Sequence, residues 1–203
     1  MGKPGRPKNQ TARREALVDA AGRAITERGL EGLRIKDIAA EAGMSAGSVL
    51  YYYPELDDLV LEVHRGAVER FLRARHAVTD EVTDPVARLR ALIASGLPAD
   101  AEDATHRLLY ELHSRADRSA GHAELMASLF AHEVGLYTTV LEVGAATGVF
   151  TLTAPVGDLA RNLVALEDGY GLHIVSRNAG LTRTEAQRLI RAHARAVTGR
   201  AEL

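Results

Sequence analysis

The chain has 203 residues, 46% hydrophobic and 26% charged, a composition that indicates a folded globular protein of one or two domains. It contains no cysteine, which excludes disulfides, cysteine–zinc sites, iron–sulfur clusters and thiol catalysis. No apolar run approaches the ~18 residues of a membrane span. The polar, basic N-terminal segment is unlike a signal peptide, so we expect a cytoplasmic protein.

The charge is uneven along the chain, although its net value is only −2. Residues 1–50 contain nine Lys and Arg against six Asp and Glu, and the remainder contains sixteen against twenty-one. The first fourteen residues contain five basic side chains and no acidic one. A basic end on an acidic body predicts a polyanionic partner, and a solvated basic tail is equally consistent with the charge.

Helical signals recur along the chain, and only residues 149–153 have β-strand character, which we interpret as a connector. The apolar stripe of the fourth helix runs at helical spacing from Leu59 to Phe71 and then through Ala74 and Val78. The fold class predicted is therefore all-α. The nine predicted helices cover about 11–28, 35–42, 46–52, 54–78, 85–95, 101–116, 123–146, 155–178 and 183–197.

Residues 35–52 have the proportions of a helix-turn-helix. Gly43 can adopt the positive φ that ends the first short helix, and Ser45 can cap the second. Small residues at the start of the second helix allow a close approach to a sugar–phosphate backbone, and its tyrosine hydroxyls can reach phosphates. An ordinary pair of packed helices is the alternative. The residues expected to face the groove and its walls are Ser45, Ala46, Gly47, Ser48, Tyr51 and Tyr52.

The context of this motif resembles the TetR family of transcriptional repressors. The resemblance covers about residues 13–65 and rests on Ile25–Gly29, the I-A-x-x-A-G sequence at 38–43, and Tyr51–Tyr53. The segments Leu33–Ile35 and Ser48–Tyr51 also resemble the choline-responsive, BetI-like branch. Pro4, Gly5 and Pro7 among basic residues predict a flexible basic arm at 1–10. The resemblance implies a DNA-binding domain at 11–54 and a regulatory domain at 55–203 that dimerises and binds a ligand.

Three positions depart from the family pattern: Arg34 replaces a capping threonine, Leu50 a tyrosine, and Leu56 a lysine. The phosphate contact is therefore expected from Tyr51 or Tyr52. We also expect contacts to phosphates or a guanine edge from Arg34 and Lys36. Arg6 lies in a Pro4–Lys8 segment that resembles a minor-groove hook, and occasional phosphate contacts by a disordered tail are the alternative.

Two apolar stripes near the C-terminal end predict a two-fold dimer, which would require a near-palindromic operator. Packing of both stripes on the chain's own body is the alternative. The residues assigned to the dimer interface are Leu159, Leu163, Leu166, His173, Arg177, Leu189, Ile190, His193 and Val197.

Polar and aromatic groups interrupt the apolar helices of the regulatory region and predict a pocket for a small-molecule effector. A buried Glu133 or Glu167 would need an arginine, a histidine or a cationic ligand, and acids beside tyrosines suit a quaternary ammonium ion. The alternative is that these groups face solvent or the dimer. The residues assigned to the pocket are Tyr110, His113, Glu133, Tyr137, Asn162, Glu167 and Tyr170.

No arrangement of residues predicts catalysis, a metal or a cofactor. His106 and His113 share a helix face without a third ligand, and His132-Glu133 lacks the second histidine of a zinc-protease motif. A helical adaptor protein, or less favourably an enzyme, is the alternative function. The partners expected are double-stranded operator DNA, a second copy of the chain and an unidentified effector, without a membrane.

Overall fold

A computed structural model describes residues 6–203, with side chains from Gln10 onward. Over this range the chain forms nine α-helices and no strand, so the all-α prediction is confirmed. The helices are α1 (Arg6–Arg28), α2 (Ile35–Ala42), α3 (Ala46–Tyr52), α4 (Leu56–Asp80), α5 (Pro85–Ser95), α6 (Ala104–His113), α7 (Ala120–Ala146), α8 (Val156–Val175) and α9 (Arg183–Thr198).

Capping residues explain several of these helix ends. Asp84 directly precedes Pro85, the residue that begins α5. Its carboxylate accepts a hydrogen bond from the backbone N–H of Ala87 at 2.7 Å. The Thr182 hydroxyl accepts from the N–H of Glu185 at 3.2 Å at the start of α9. Local capping therefore sets these two starts where the sequence predicts them.

Helix α1 begins at Arg6 rather than at the predicted Thr11, so part of the segment predicted to be a flexible arm is helical. Pro7 is compatible with this start because the first turn of a helix has no partner for its backbone N–H. Residues 1–5 of the predicted arm lie outside the described residues. The predicted minor-groove contact of Arg6 also concerns a side chain outside them.

The start of α6 also differs from the prediction. Asp103, rather than Asp100, caps this helix, because its carboxylate accepts hydrogen bonds from the N–H groups of Thr105 and His106, both at 3.1 Å. Asp100 instead accepts a hydrogen bond from Glu102 in the preceding turn. The sequence predicted Asp100 as the cap, because Asp100 and Asp103 both precede α6 and either aspartate can cap a helix.

The chain packs as two units. Unit 1 contains the described residues up to Val68 together with Leu108–Leu125, and unit 2 contains Glu69–Arg107 and Met126–Leu203. The division expected at residue 54 differs from this packing because α1 packs against both α4 and α6 in unit 1. A Cβ added at Gly22 would lie 3.7 Å from Val63 and 3.8 Å from Leu108. The functional division into DNA-binding and regulatory parts stays a prediction.

In unit 1, α1 packs against α2 and α2 against α3. The loop after α1 is closed by the N–H of Leu30, which donates to Glu111 at 2.7 Å. The large apolar side chains fully buried in this unit include Leu17, Ile25, Ile38, Leu59 and Leu112. These residues fix the positions of the short helices α2 and α3.

In unit 2, α9 packs against α5 and α8. The segment 149–153 is a connector, as predicted: its Thr151 and Thr153 N–H groups donate to carbonyls near the end of α9, at 2.9 and 3.1 Å. The apolar core contains Leu89, Leu92, Ile93, Leu97, Val140, Leu141, Phe150, Leu159, Leu163, Val164, Ile174 and Ile190. Within the described range, no helix is both long and apolar enough to cross a membrane.

Candidate functional site

Helices α2 and α3 are joined by the three-residue turn Gly43–Ser45, in the helix-turn-helix arrangement expected from the sequence. Gly43 adopts φ +64°, a left-handed conformation that favours glycine, and a Cβ there would meet nothing within 4 Å. The Ser45 hydroxyl then accepts from the N–H of Ser48 at 3.1 Å and caps α3. Backbone conformation and one side-chain hydrogen bond therefore set the angle between the two helices.

Helix α3 exposes one face and buries the other. Val49 is fully buried, whereas Leu50 and Tyr51 are 44% and 69% exposed. The Tyr51 ring contacts the half-buried Tyr52 edge to face, with centroids 5.2 Å apart. Ser45, Ala46 and Gly47 are exposed and Ser48 is half-buried, so the predicted groove-facing residues reach the surface to different degrees.

The end of α3 is attached to α1 by Arg14, a residue that sequence reasoning counted only among the basic charges of the N-terminal end. Its guanidinium lies 4.3 Å from the ring centroid of buried Tyr53, and its Nη1 donates to the Tyr52 carbonyl at 3.1 Å. Burial raises the pKa of Tyr53. Arg14 therefore supports the position of α3 from within the chain.

The start of α2 exposes the side chains of Arg34 and Lys36. Arg34 occupies the N-cap position without a side-chain acceptor, and the Asp37 carboxylate compensates by accepting the Arg34 N–H at 3.1 Å. Two surface ion pairs connect α1 with α2: Arg23–Glu41 at 2.7 Å and Arg28–Asp37 at 3.4 Å. Both basic side chains at the start of α2 remain directed toward solvent.

A buried histidine pair lies elsewhere in unit 1. The Nδ1 atoms of His64 and His122 are 2.8 Å apart and the rings stack with centroids 4.9 Å apart. Burial, followed by the neighbouring His122, lowers the pKa of His64 to about 4, and burial also lowers the pKa of His122. Sequence reasoning missed this pair because 58 positions separate its members and neither belongs to a recognised motif.

In unit 2, three of the seven predicted pocket residues converge on one arginine. Buried Arg75 places Nη2 3.0 Å from Oε2 of Glu167 and Nη1 3.6 Å from Oε1 of Glu133. The Tyr137 hydroxyl donates to the second oxygen of Glu167. The expectation that a buried Glu133 or Glu167 requires a cation is met here by an arginine of the chain itself.

Burial dominates the titration of this cluster. It raises the pKa of Glu133 to about 8 and that of Glu167 to about 7, while the positive charge of Arg75 opposes both increases. Burial also raises the pKa of Tyr137, which keeps that hydroxyl a hydrogen-bond donor. Burial therefore favours the neutral carboxyls, and the charge of Arg75 favours the ionised ones.

The sequence contained a signal for Arg75. The buried residues of α4 continue at a spacing of four, from Phe71 through Arg75 to Thr79. The predicted stripe instead followed apolar residues to Ala74 and Val78, which are exposed, so that part of the prediction is wrong. A continued spacing of four from Phe71 identifies Arg75 and Thr79, whereas the predicted stripe changed to a spacing of three at Ala74 in order to follow apolar residues.

Models of known protein families match both parts of the chain. The model of "Bacterial regulatory proteins, tetR family" matches residues 17–63, and that of "BetI-type transcriptional repressor, C-terminal" matches residues 85–199, more than half of the chain. The chain belongs to the TetR family of bacterial regulatory proteins. The predicted resemblance to TetR and its BetI-like branch is confirmed.

Individual TetR-family proteins are similar at lower identity. The HTH-type transcriptional repressor KstR2 of Mycolicibacterium smegmatis is 22% identical over 147 residues, 72% of each chain. The HTH-type transcriptional regulator BetI of Agrobacterium fabrum is 34% identical over 88 residues, 43% of each chain. The alignment with BetI therefore spans less than half of that relative.

Two solved structures have the same fold. A TetR transcription regulator from Haloarcula marismortui matches with a TM-score of 0.82 at 28% identity, over 93% of this chain and 99% of that one. A putative transcriptional regulator from Saccharomonospora viridis in complex with choline matches with a TM-score of 0.83 at 23% identity, over 90% and 95%. The fold and the family together make this chain a transcriptional regulator with a helix-turn-helix.

The structure corrects the predicted TetR-type effector pocket. His113 and Asn162 are exposed, so their assignment to an enclosed pocket is wrong, and Tyr110 and Tyr170 are half-buried. Unit 2 has a pocket of about 200 Å³ between α4, α5 and α7. None of the seven predicted residues lines it. The residues that do are His76, Thr79, Asp80, Arg88, Leu92, Leu136, Thr139 and Val140.

The predicted dimer interface is also partly wrong. Leu159, Leu163 and Ile190 are buried in the chain's own core, so they have no surface left for a second copy. Leu166, Leu189, His193 and Val197 are half-buried, and His173 and Arg177 are exposed. Helical periodicity identified a buried face but could not distinguish the chain's own core from a second copy.

The part of the chain that the structure describes contains no group of three or more His, Cys, Asp or Glu side chains placed to hold a metal ion.

Proposed function

We propose that this chain is a TetR-type repressor that binds a near-palindromic operator as a dimer and is released by a small-molecule effector. The observation that supports operator binding most strongly is α3, a capped helix that exposes Leu50 and Tyr51 on one face. Arg14 and buried Val49 hold the opposite face in place. A rigid helix with an exposed, chemically varied face suits insertion into the major groove.

Helix α3 contains no charged side chain, so its contacts to bases would be neutral. Ser45 and Ser48 supply hydroxyls, and Ala46 and Leu50 supply apolar groups of the kind that contact a thymine methyl. The Tyr51 hydroxyl would reach a phosphate. Electrostatic attraction to DNA would instead come from exposed residues at the start of α2.

Arg34 and Lys36 are the exposed basic residues at the start of α2 that would attract DNA electrostatically. If each neutralises one phosphate, replacing either with alanine lowers the slope of log affinity against log salt by about one. The loss should be similar for every DNA sequence, since phosphate contacts carry no base information. Arg73 is a matched control because it is an exposed arginine of unit 2.

The dimer interface in this proposal uses the exposed line of α8 rather than its buried face. Ala165 and Gly169 lie on that line beside Leu172, which is 50% exposed. Small residues permit close approach of a second helix, and Leu172 supplies apolar area. Sedimentation should show a dimer at micromolar concentration for the native chain and a monomer for Leu172→Glu.

Selection of bound sequences from randomised duplex DNA tests the proposed function. The full chain should enrich a near-palindrome whose half-sites lie about 34–36 Å apart or a multiple of that distance. Enrichment of no sequence would contradict the proposal and favour a helical adaptor or an enzyme.

Release by an effector requires that the ligand prefer one of two states of the protein. Helices α4, α6 and α7 each contribute residues to both units, and the proposal assigns the coupling to α4. The coupling must be reciprocal, so saturating operator DNA should weaken effector binding by the factor by which effector weakens DNA binding.

A further inference from the structure

Part of the exposed face of α3 is apolar. Ala46 and Leu50 lie one helical turn apart and are exposed, and Gly47 lies beside Ala46 on the same face and is exposed as well. We call these three residues the apolar strip. Helix α3 contains no Arg, Lys, Asn, Gln, Asp or Glu, the side chains whose hydrogen bonds most commonly identify G, A or C in the major groove.

The two serines at the start of α3 bond to each other. The hydroxyl oxygens of Ser45 and Ser48 lie 2.8 Å apart, and the Ser45 oxygen also accepts the Ser48 N–H at 3.1 Å. One of their two hydroxyl hydrogens is therefore used within the chain, whichever serine donates it. Because the pair retains only one hydroxyl hydrogen for a base edge, hydrogen bonds give α3 little means of distinguishing base pairs.

Gly47 has no side chain, although the chain itself has room for one. Its backbone is helical, and an added Cβ would meet only the Ser45 Oγ, at 4.0 Å. A glycine within a helix is less favourable than an alanine. Neither the backbone conformation nor the packing of the chain requires glycine here, so the missing side chain is explained by the close approach of an outside surface.

Leu50 can recognise only an apolar group, because its side chain has no polar atom. The base edges of the major groove carry one such group, the C5-methyl of thymine, beside hydrogen-bond donors and acceptors. A leucine placed against a donor or acceptor would remove it from water without replacing its hydrogen bond, which is unfavourable. Contact with a thymine methyl instead buries apolar area on both sides. The apolar strip therefore favours T·A pairs.

We propose that Leu50 and Ala46 determine operator specificity by contacting thymine C5-methyl groups in each half-site, with Gly47 admitting the base edges close to α3. The inference rests on the proposed function, because it assigns the bases that the DNA-binding helix reads. Leu50 is then a specificity-determining residue, unlike Arg34 and Lys36, whose phosphate contacts carry no base information. The methyl group of 5-methylcytosine would make the same contact.

Replacement of each thymine of the selected operator in turn by uracil tests this contact, because uracil differs from thymine only by the C5-methyl group. The native full chain should lose about fourfold in affinity for each contacted methyl that is removed. Leu50→Ala should bind the thymine operator more weakly and show little further loss with uracil, because the two changes remove the same contact.

Two controls separate the methyl contact from other effects. Val78 is as exposed as Leu50 and lies in unit 2, so Val78→Ala should respond to uracil as the native chain does. Where cytosine replaces a contacted thymine, its methylation to 5-methylcytosine should raise the affinity of the native chain by about fourfold and leave that of Leu50→Ala unchanged.

Gly47→Ala supplies a second measurement, which remains valid if Leu50→Ala fails to fold. Alanine should raise the melting temperature of the full chain, because it is the better helix former and its Cβ has no close neighbour. The same variant should bind the selected operator more weakly, because its methyl group stands between α3 and the base edges. A lower melting temperature would show that glycine serves the fold and would overturn this role of Gly47.

The inference and the proposed function fail in different ways. Selection of a near-palindrome in which no thymine shows a uracil effect that depends on Leu50 would overturn the inference and leave the proposed function standing. Equal uracil losses in the native chain and Leu50→Ala would also overturn it, since the methyl would then act through another residue or through DNA shape. Selection of no sequence would overturn the proposed function, and the inference with it.

Discussion

The two units bury polar side chains in opposite ways. Unit 1 buries a pair of histidines whose Nδ1 atoms lie 2.8 Å apart and whose lowered pKa values favour neutral rings, while Nε2 of His64 has no hydrogen-bond partner. Unit 2 buries an arginine with two carboxylates, a set that retains charge or must take up a proton. A neutral pair avoids the cost of burying charge, whereas buried charges require counter-charges from several helices.

The two units also differ in whether their candidate ligand-binding groups are exposed or buried. In unit 1 the groups proposed to bind a ligand, DNA, lie on the surface, and the buried histidines serve packing. In unit 2 three residues predicted to contact an effector, Glu133, Tyr137 and Glu167, are buried. Most surface substitutions change stability little, whereas substitution of a buried charged group is strongly destabilising.

The largest effect is expected from Arg75→Ala. Its removal leaves two buried carboxylates without a cation and should lower the free energy of unfolding by about 3–5 kcal/mol in denaturant titrations. Arg73→Ala is the matched control, since Arg73 lies two residues away and pairs with Glu69 at 3.5 Å on the surface. That variant should lose at most about 1 kcal/mol. Equal losses in the two variants would contradict the difference between buried and exposed charges.

Acid should destabilise unit 1 through His64. Its pKa is about 4 in the folded chain and 6.5 as a free side chain, so the unfolded chain takes up the proton first. Stability is therefore complete above pH 6.5 and is lost as pH falls toward 4, by up to about 3 kcal/mol. Denaturant titrations across this range should show the loss, and His64→Leu should reduce it.

In unit 2, the contribution of Glu133 to stability should be lost as pH rises, opposite to that of His64. The pKa of Glu133 rises from 4.5 to about 8 on folding, so the folded chain retains the proton longer than the unfolded one. This contribution is complete below pH 4.5 and is lost as pH rises through about 8. Glu133→Gln should flatten the loss of stability between pH 5 and 8, with Glu124→Gln as a surface control on the same helix. An unchanged slope would be evidence that Glu133 stays ionised in the folded chain.

Two helix caps give a smaller and more selective comparison. Ser45 caps α3 in unit 1 and Thr182 caps α9 in unit 2, each by accepting one backbone N–H. Alanine at either position should cost about 0.5–2 kcal/mol of stability. Only Ser45→Ala should also weaken operator binding, and a similar weakening by Thr182→Ala would be inconsistent with a DNA surface confined to unit 1.

Sequence reasoning found the helix-turn-helix because its determinants are local. Gly43 and Ser45 lie within three residues of each other, and their conformational and capping preferences do not depend on distant parts of the chain. It identified Glu133 and Glu167 as acids in need of a cation, yet missed Arg75 because the predicted stripe of α4 followed apolar residues to Ala74 and Val78. The pairing of residues 92 positions apart depends on tertiary packing, which no local pattern specifies.

The dependence on tertiary packing also explains the errors in the predicted dimer interface of α8 and α9. The spacing of Leu159, Leu163 and Ile190 identified an apolar face correctly and assigned it to the wrong partner. The opposite face of α8 is exposed and repeats at the same helical spacing as the buried face. It contains one large apolar side chain, Leu172. A single exposed leucine is a weak signal in a sequence, since many surface leucines have no partner.

Operator affinity of Tyr51→Ala, with the free energy of unfolding of the same variant, tests the central claim most directly. Tyr51 is 69% exposed and packs only at the surface, so its loss should change stability by less than about 0.5 kcal/mol. Affinity for the selected operator, measured at fixed salt, should fall by about 1.5–3 kcal/mol, or roughly 10- to 150-fold, because a hydrogen bond to a charged phosphate is lost. Native affinity in a fully folded Tyr51→Ala protein would contradict the assignment of α3 as a DNA-contacting helix.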